Sequence, residues 1–383
     1  MKIWIDGYEA NVPQRLGSSQ VAFELLRNLE KIDHKNEYTI LLPTPPLEDL
    51  PKERPGWKYQ LLTIKRFKTL IAIPYALYTA KEKPDVFLSP THYGPLFSPV
   101  KRVITIFDLA FLHFPGMFKL RDLLQLKLWT WICVKKAKHI VTISDFSKQD
   151  ITAQYGVDGD YITVAYPGYD SSVFKPVKDR KEIEQIKQKY KITGSYIIYI
   201  GTIQPRKNLV RLIEAFSRAS SSLSPLAQLK LVIVGKTTGL GREGWMFEET
   251  LNAPRKYGVE DKVIFTGFAP TEDLPYLLAG SQAFILPSLW EGFGITALEA
   301  MACAAPVIVS SVSSLPEIVG DAGVMVDPYS IEDITQGITA IIKDDKLRQK
   351  KIQLGLRRVK KFSWESCARE TLEALERVAG AKR

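Results

Sequence analysis

Short apolar runs recur along the chain, each closed by glycine, proline or a polar residue, and several lead into longer amphipathic stretches. Runs that are apolar throughout and this short predict strands buried on both faces, as in a parallel sheet. In the first half they fall at Lys2–Asp6, Tyr38–Leu42, Val86–Leu88, Val103–Phe107 and His139–Ser144. In the second half they fall at Tyr196–Ile200, Leu229–Val234, Val263–Thr266, Ala283–Leu286 and Pro306–Val309. Helical periodicity predicts helices at Val21–Leu29, Val210–Phe216 and Ile295–Ala302, a last helix reaching Val378, and a strand then a helix within 61–78. Ser144 is placed to cap a helix that starts at Asp145. Strands alternating with helices in this way predict an α/β protein built on parallel sheets.

The segment Lys119–Lys138 sets Leu120, Leu123, Leu124, Leu128, Trp131 and Ile132 against Arg121, Lys127, Lys135, Lys136 and Lys138. We expect a helix that lays its apolar side on its own sheet. A helix lying on an anionic membrane carries the same pattern. Pro167, Gly168 and Pro176 mark 166–180 as the linker between domains at 1–170 and 171–364.

The stretch Leu286–Ser310 carries the most chemistry. Its strand ends at Pro287–Ser288, and Glu291-Gly292-Phe293-Gly294 forms a tight loop into the helix Ile295–Ala302. Such a loop lies at the carboxyl edge of a parallel strand, where open α/β sheets bind ligands, and a helix N-terminus there favours an anion. Glu299 sits among Ala297, Leu298, Ala300 and Met301, where a carboxylate is costly without partners. After Gly201, the turn through Pro205 presents Arg206 and Lys207 side by side before a helix; a guanidinium fork and a point charge suit a pyrophosphate. Gly17 and Ser18 stand between a strand and a helix, where backbone can approach a phosphate or sugar. Lys236 opens a glycine-rich loop running through Gly244 and is a further candidate contact. Asp108, at the end of a core strand, His92 after a strand end, and His113 beside Phe114 and Pro115 complete the candidates.

Composition bounds these readings. The 383 residues suffice for two domains, and 45% hydrophobic with 25% charged residues is ordinary for a globular protein. The net charge of +10 favours anionic partners and is spread over both halves. No nucleic-acid motif accompanies it, so nucleic acid is not an expected partner. Cys133, Cys303 and Cys367 are isolated, with no metal or redox spacing, as in a reducing cytoplasm. The opening MKIWIDGYEA meets Asp6 and Gly7 too early for a signal sequence, and no apolar run reaches the length of a membrane span. The expected location is cytoplasmic, with peripheral contact on the inner face of the membrane as the further option.

The pattern E-G-F-G-x-x-x-x-E from Glu291 to Glu299 resembles the E-x7-E signature of glycosyltransferase family 4, retaining nucleotide-sugar enzymes of the GT-B fold. The flanking Ser314-Leu315-Pro316-Glu317-Ile318-Val319-Gly320-Asp321-Ala322-Gly323, the G-x-x-x-x-R-K-N run from Gly201 to Asn208, and the segment Ser144–Lys148 extend the resemblance over most of the chain. It implies two Rossmann-like domains facing each other across a cleft, with the last helix, 365–383, returning to the first domain. It assigns Arg206 and Lys207 to the donor diphosphate, Glu299 to the ribose, and Glu291 with the amides of Phe293 and Gly294 to the sugar hydroxyls. Gly17, Ser18, Gly267 and Phe268 are carried over as donor contacts. Relatives commonly have a histidine facing the reacting sugar where this chain has Phe107, so Asp108, ahead of His113, is the expected residue on the acceptor side. Thr202 replaces an arginine found in some relatives. No metal or cofactor is expected. TIFDLAFLHFP with SSLPEIVGDAG resembles bacterial mannosyltransferases of surface-polysaccharide synthesis, implying GDP-mannose, or else UDP-glucose or another UDP-sugar, as donor to a glycan or lipid-linked acceptor. The competing readings are a non-catalytic relative that binds a sugar nucleotide, and a nicotinamide oxidoreductase, whose G-x-G-x-x-G is missing from the opening region.

Overall fold

A computed structural model describes residues 1–64, 67–221, 225–236 and 247–380. Among them the chain forms two compact units, Met1–Gly168 with Ser363–Arg383, and Tyr169–Phe362. The glycine-rich loop after Lys236 lies outside the described residues.

The first unit holds a seven-stranded parallel sheet: β1 (Lys2–Asp6), β2 (Glu37–Leu42), β3 (Trp57–Leu61), β4 (Val86–Ser89), β5 (Lys101–Ile106), β6 (His139–Thr142) and β7 (Ile162–Val164). Its order is β3-β2-β1-β4-β5-β6-β7, so the winding reverses between β1 and β4. The central strands β1, β4 and β5 are buried along most of their length, as their unbroken apolar composition requires. The edge strand β3 alternates, with Trp57 fully buried and Leu61 exposed. The helix Trp364–Gly380 completes this unit. Its Cys367 thiol donates to the Ala165 carbonyl, and Lys101 Nζ donates to Val378 O at 3.0 Å. A side chain at Gly168 would lie 2.2 Å from the Trp364 nitrogen, so the crossing needs glycine.

The second unit holds a six-stranded parallel sheet: β8 (Tyr196–Ile200), β9 (Lys230–Val234), β10 (Val263–Gly267), β11 (Ala283–Leu286), β12 (Val307–Ser310) and β13 (Gly323–Val326). Its order, β10-β9-β8-β11-β12-β13, repeats the winding of the first sheet and reverses between β8 and β11. In register, Ala283 faces Ile197 and Phe284 faces Ile198, which sets the carboxyl ends of β8 and β11 side by side.

One expectation is corrected. The helix Leu120–Lys136 does not turn the leucines of its apolar side inward as a set. Leu123, Thr130, Cys133 and Val134 are buried, whereas Leu120, Leu124, Leu128 and Trp131 are exposed. Apolar residues occupy two faces of this helix, and the sequence pattern merged them into one.

Candidate active site

The reversal between β8 and β11 is where a doubly wound sheet opens a crevice at its carboxyl edge. The loop after β8 becomes the turn Pro205–Lys207 and then Asn208, which adopts a left-handed backbone with φ 63°. Asparagine tolerates that region better than most residues. Its side-chain amide, buried, donates to Pro287 O at 3.0 Å and Pro328 O at 2.7 Å, tying the β8 loop to the β11 loop. The backbone adds Leu289 N donating to Arg206 O at 2.8 Å. The helix Leu209–Ser220 starts from this anchor, with Leu209, Leu212, Ile213 and Phe216 packed inward.

Three of the expected site residues converge on that anchor. Glu291 is 6% exposed. Its Oε1 pairs with Lys207 Nζ and accepts from Ser288 Oγ at 2.6 Å, and its Oε2 lies 3.4 Å from Arg206 Nη1. Arg206 Nη1 also donates to Trp290 O at 3.0 Å. Burial opposes ionisation of Glu291, but the charges of Lys207 and Arg206, with hydrogen bonds from Lys207 and Ser288, outweigh it and hold the pKa below the ordinary value. The cluster brings two cations and one carboxylate together at the sheet edge.

The loop that carries Glu291 is held by serines. Glu291 N donates to Ser313 Oγ at 3.1 Å, Ser314 Oγ donates to the carbonyls of Glu291 and Phe293, and Ser310 Oγ donates to Ser288 O at 2.6 Å. Gly294 then turns the chain into the helix Ile295–Ala302 with φ 98°, and a side chain there would meet Leu315 Cδ2 at 2.6 Å. Glu299 follows one turn into the helix, partly open to solvent, and its carboxyl has no hydrogen-bond or ion-pair partner among the described residues. Burial alone pushes it up to about 8. The neighbouring Cys303 thiol is pushed up to about 12, by burial first and by Glu299 second.

Farther along the same edge, β9 is followed by Gly235, whose missing side chain admits Gly201 O; a Cβ would sit 2.2 Å from it. Gly235 N donates to Gly267 O at 3.0 Å, so the ends of β8, β9 and β10 close together. Phe268, just past β10, is 48% exposed.

In the first unit, Gly17 precedes the helix Ser18–Ile32 with φ 56° and open space where a side chain would be. Asp108 follows β5 by two residues, and its Oδ1 accepts from Ala110 N at 2.9 Å, opening the short helix Ala110–His113. His113 lies at the end of that helix, not packed in a loop, and its Nε2 pairs with Asp150 at 2.9 Å. Phe107 is 8% exposed, and the His92 ring packs edge-on against it at 5.9 Å and against Phe111 at 6.3 Å. Burial lowers the His92 pKa, Asp108 pulls the other way, and Nδ1 is buried with no hydrogen-bond partner among the described residues. Sequence reading gave Asp150, Ser313 and Asp6 no role in the site. Asp6 ends β1, is 2% exposed, and lies 3.1 Å from Lys68. A charged residue closing an apolar run was the available signal for Asp6; none marked Asp150.

Residues 16–173 match the Glycosyltransferase Family 4 model, and residues 180–357 match that of Glycosyl transferases group 1. O-antigen chain mannosyltransferase B of Escherichia coli is 29% identical over 359 residues, 91% of each chain. The serotype-specific mannosyltransferase WbdA of Escherichia coli is 29% identical over 64% of this chain, which spans 29% of that protein's length. Sucrose-phosphate synthase from Thermosynechococcus elongatus shares the fold over the whole of both chains, with a TM-score of 0.78 and 18% identity. HepE from Anabaena, solved with UDP and glucose, has a TM-score of 0.74 and 18% identity over 98% of this chain and 99% of that one. With two doubly wound parallel sheets, each reversing beside its first strand, and family models spanning both, the chain belongs to the group 1 and family 4 glycosyltransferases of the GT-B fold.

Proposed function

We propose that the chain transfers mannose from GDP-mannose to a glycan or lipid-linked acceptor, with retention of anomeric configuration and without a metal. The observation that carries the reading is the Arg206–Glu291–Lys207 cluster at the β8/β11 reversal. In the transfer, the bond from the anomeric carbon to the β-phosphate oxygen breaks and a bond to the acceptor oxygen forms. The acceptor proton passes to the departing phosphate on the same face. Arg206 and Lys207 offset the negative charge that grows on the leaving diphosphate, and donors fixed in place before reaction contribute most to such steps.

Glu291 then has two tasks, since the carboxylate that is to meet sugar hydroxyls also holds both cations in position. Glu299, unpaired and reluctant to ionise, is assigned to the ribose hydroxyls, to which it can accept or donate according to its proton. In this reading the amides of Phe293 and Gly294 take the sugar, and Gly267 and Phe268 take the base. Asp108 serves the acceptor, because His113 is committed to Asp150. Mannose as the sugar rests on the mannosyltransferase relatives. Nucleoside-diphosphate release, measured against GDP-mannose, UDP-glucose and ADP-glucose with Glu291→Ala as control, tests the reading. Turnover is expected with GDP-mannose. Turnover with a UDP-sugar alone would replace the donor, and binding without turnover would favour a non-catalytic relative.

A further inference from the structure

The outward face of the helix Leu120–Lys136 has no role in the chemistry above. Leu120, Leu124, Leu128 and Trp131 are 71%, 59%, 61% and 52% exposed. At about 100° per residue they fall within an arc of roughly 80°, one ridge along about three turns. Single exposed leucines are normal on any surface; a contiguous ridge marks a surface with a use. Lys127 borders the arc on one side and Arg121 on the other, and Lys135 lies within it at the C-terminal end. None of these three has an ion-pair partner among the described residues. Six basic residues and one acidic residue, Asp122, occupy positions 119–138. Phe97, 60% exposed, lies beside the last turn of this helix, with Lys136 Nζ 5.0 Å from its ring centroid.

We propose that this face docks the first unit on an anionic lipid bilayer. Leu120, Leu124, Leu128 and Trp131 enter the boundary between headgroups and acyl chains, while Arg121, Lys127 and Lys135 meet headgroup phosphates. Charge selects the occupant. An apolar ridge flanked by cations is the pattern of helices that lie in a membrane interface. A second copy of the same face would oppose cation to cation across a two-fold axis, which disfavours self-association.

The inference does not rest on the reading of the active site, and its test needs neither donor nor acceptor. The full chain is cosedimented with vesicles of phosphatidylethanolamine and phosphatidylglycerol, and with phosphatidylcholine alone. Binding is expected to the anionic vesicles and to weaken with salt. Leu124→Ser/Leu128→Ser/Trp131→Ser is expected to lower partitioning at least ~100-fold, since each buried side chain of this size contributes about tenfold or more. Its melting temperature should stay near that of the wild type. Lys127→Gln/Lys135→Gln, which leaves the ridge intact, should weaken binding about fivefold per charge. Failure of the wild type to bind anionic vesicles overturns the proposal. So does binding that neither variant changes, or a dimer that forms without lipid and is lost in the triple variant.

Discussion

Replacing Glu299 by glutamine should make the protein more stable at alkaline pH and a poorer binder of its donor. The Glu299 carboxyl is pushed from an ordinary value of 4.5 up to about 8 by burial, with no compensating partner among the described residues. The folded chain thus holds this proton more tightly than the unfolded chain does. The resulting stability is fully present below pH 4.5 and is lost as pH rises through about 8. At 1.36 kcal/mol per pKa unit the loss has a ceiling of about 5 kcal/mol. Because the side chain keeps part of its contact with water, we expect about 1–2 kcal/mol by pH 9, a melting shift of roughly 2–8 °C for a unit of this size. Glutamine keeps the shape and carries no charge. Melting curves for wild type and Glu299→Gln between pH 5 and 9 should diverge as pH rises, the variant melting higher. Donor affinity should fall about tenfold or more above pH 8, where the ionised carboxylate that accepts from the ribose diol is replaced by a neutral amide. Parallel melting curves across that range would refute the argument that burial of this carboxyl is uncompensated.

Glu291→Ala should lower stability by about 3–5 kcal/mol, because it removes the buried carboxylate that pairs with both Arg206 and Lys207; denaturant titration measures it. Gly294→Ala should cost about 1–3 kcal/mol, since φ 98° and the 2.6 Å approach to Leu315 both oppose a side chain; a shift in urea midpoint at unchanged slope would show it. Asp108→Asn should lower kcat at least ~100-fold if the carboxylate meets the acceptor, whereas His113→Ala should change kcat less than about tenfold.

The central strands and the two candidate loops were legible because buried parallel strands are apolar without interruption, and glycine or proline closes them. The edge strands β3 and β7 were not. In β3, WKYQL, one face meets water, and β7 is three residues long, so neither leaves an apolar run. Apolar periodicity placed the helix Leu120–Lys136 but not its orientation, because leucines on two faces read as one stripe. In the site, residue types foretold the charges and not their pairing. Glu291 meets Lys207 across 84 positions through a left-handed turn at Asn208 and a serine-held loop, and no local pattern encodes that meeting. Asp150 was illegible for the same reason, as a surface-type residue on a helix that the fold carries to His113.

Calorimetry of GDP against guanosine tests most directly whether the cluster at the β8/β11 reversal grips a diphosphate. The wild type should bind GDP at least ~100-fold more tightly than guanosine, and Arg206→Ala/Lys207→Ala should abolish that preference while leaving guanosine binding unchanged. Equal affinity of the wild type for GDP and guanosine, or a full preference for GDP in the double variant, would contradict the account.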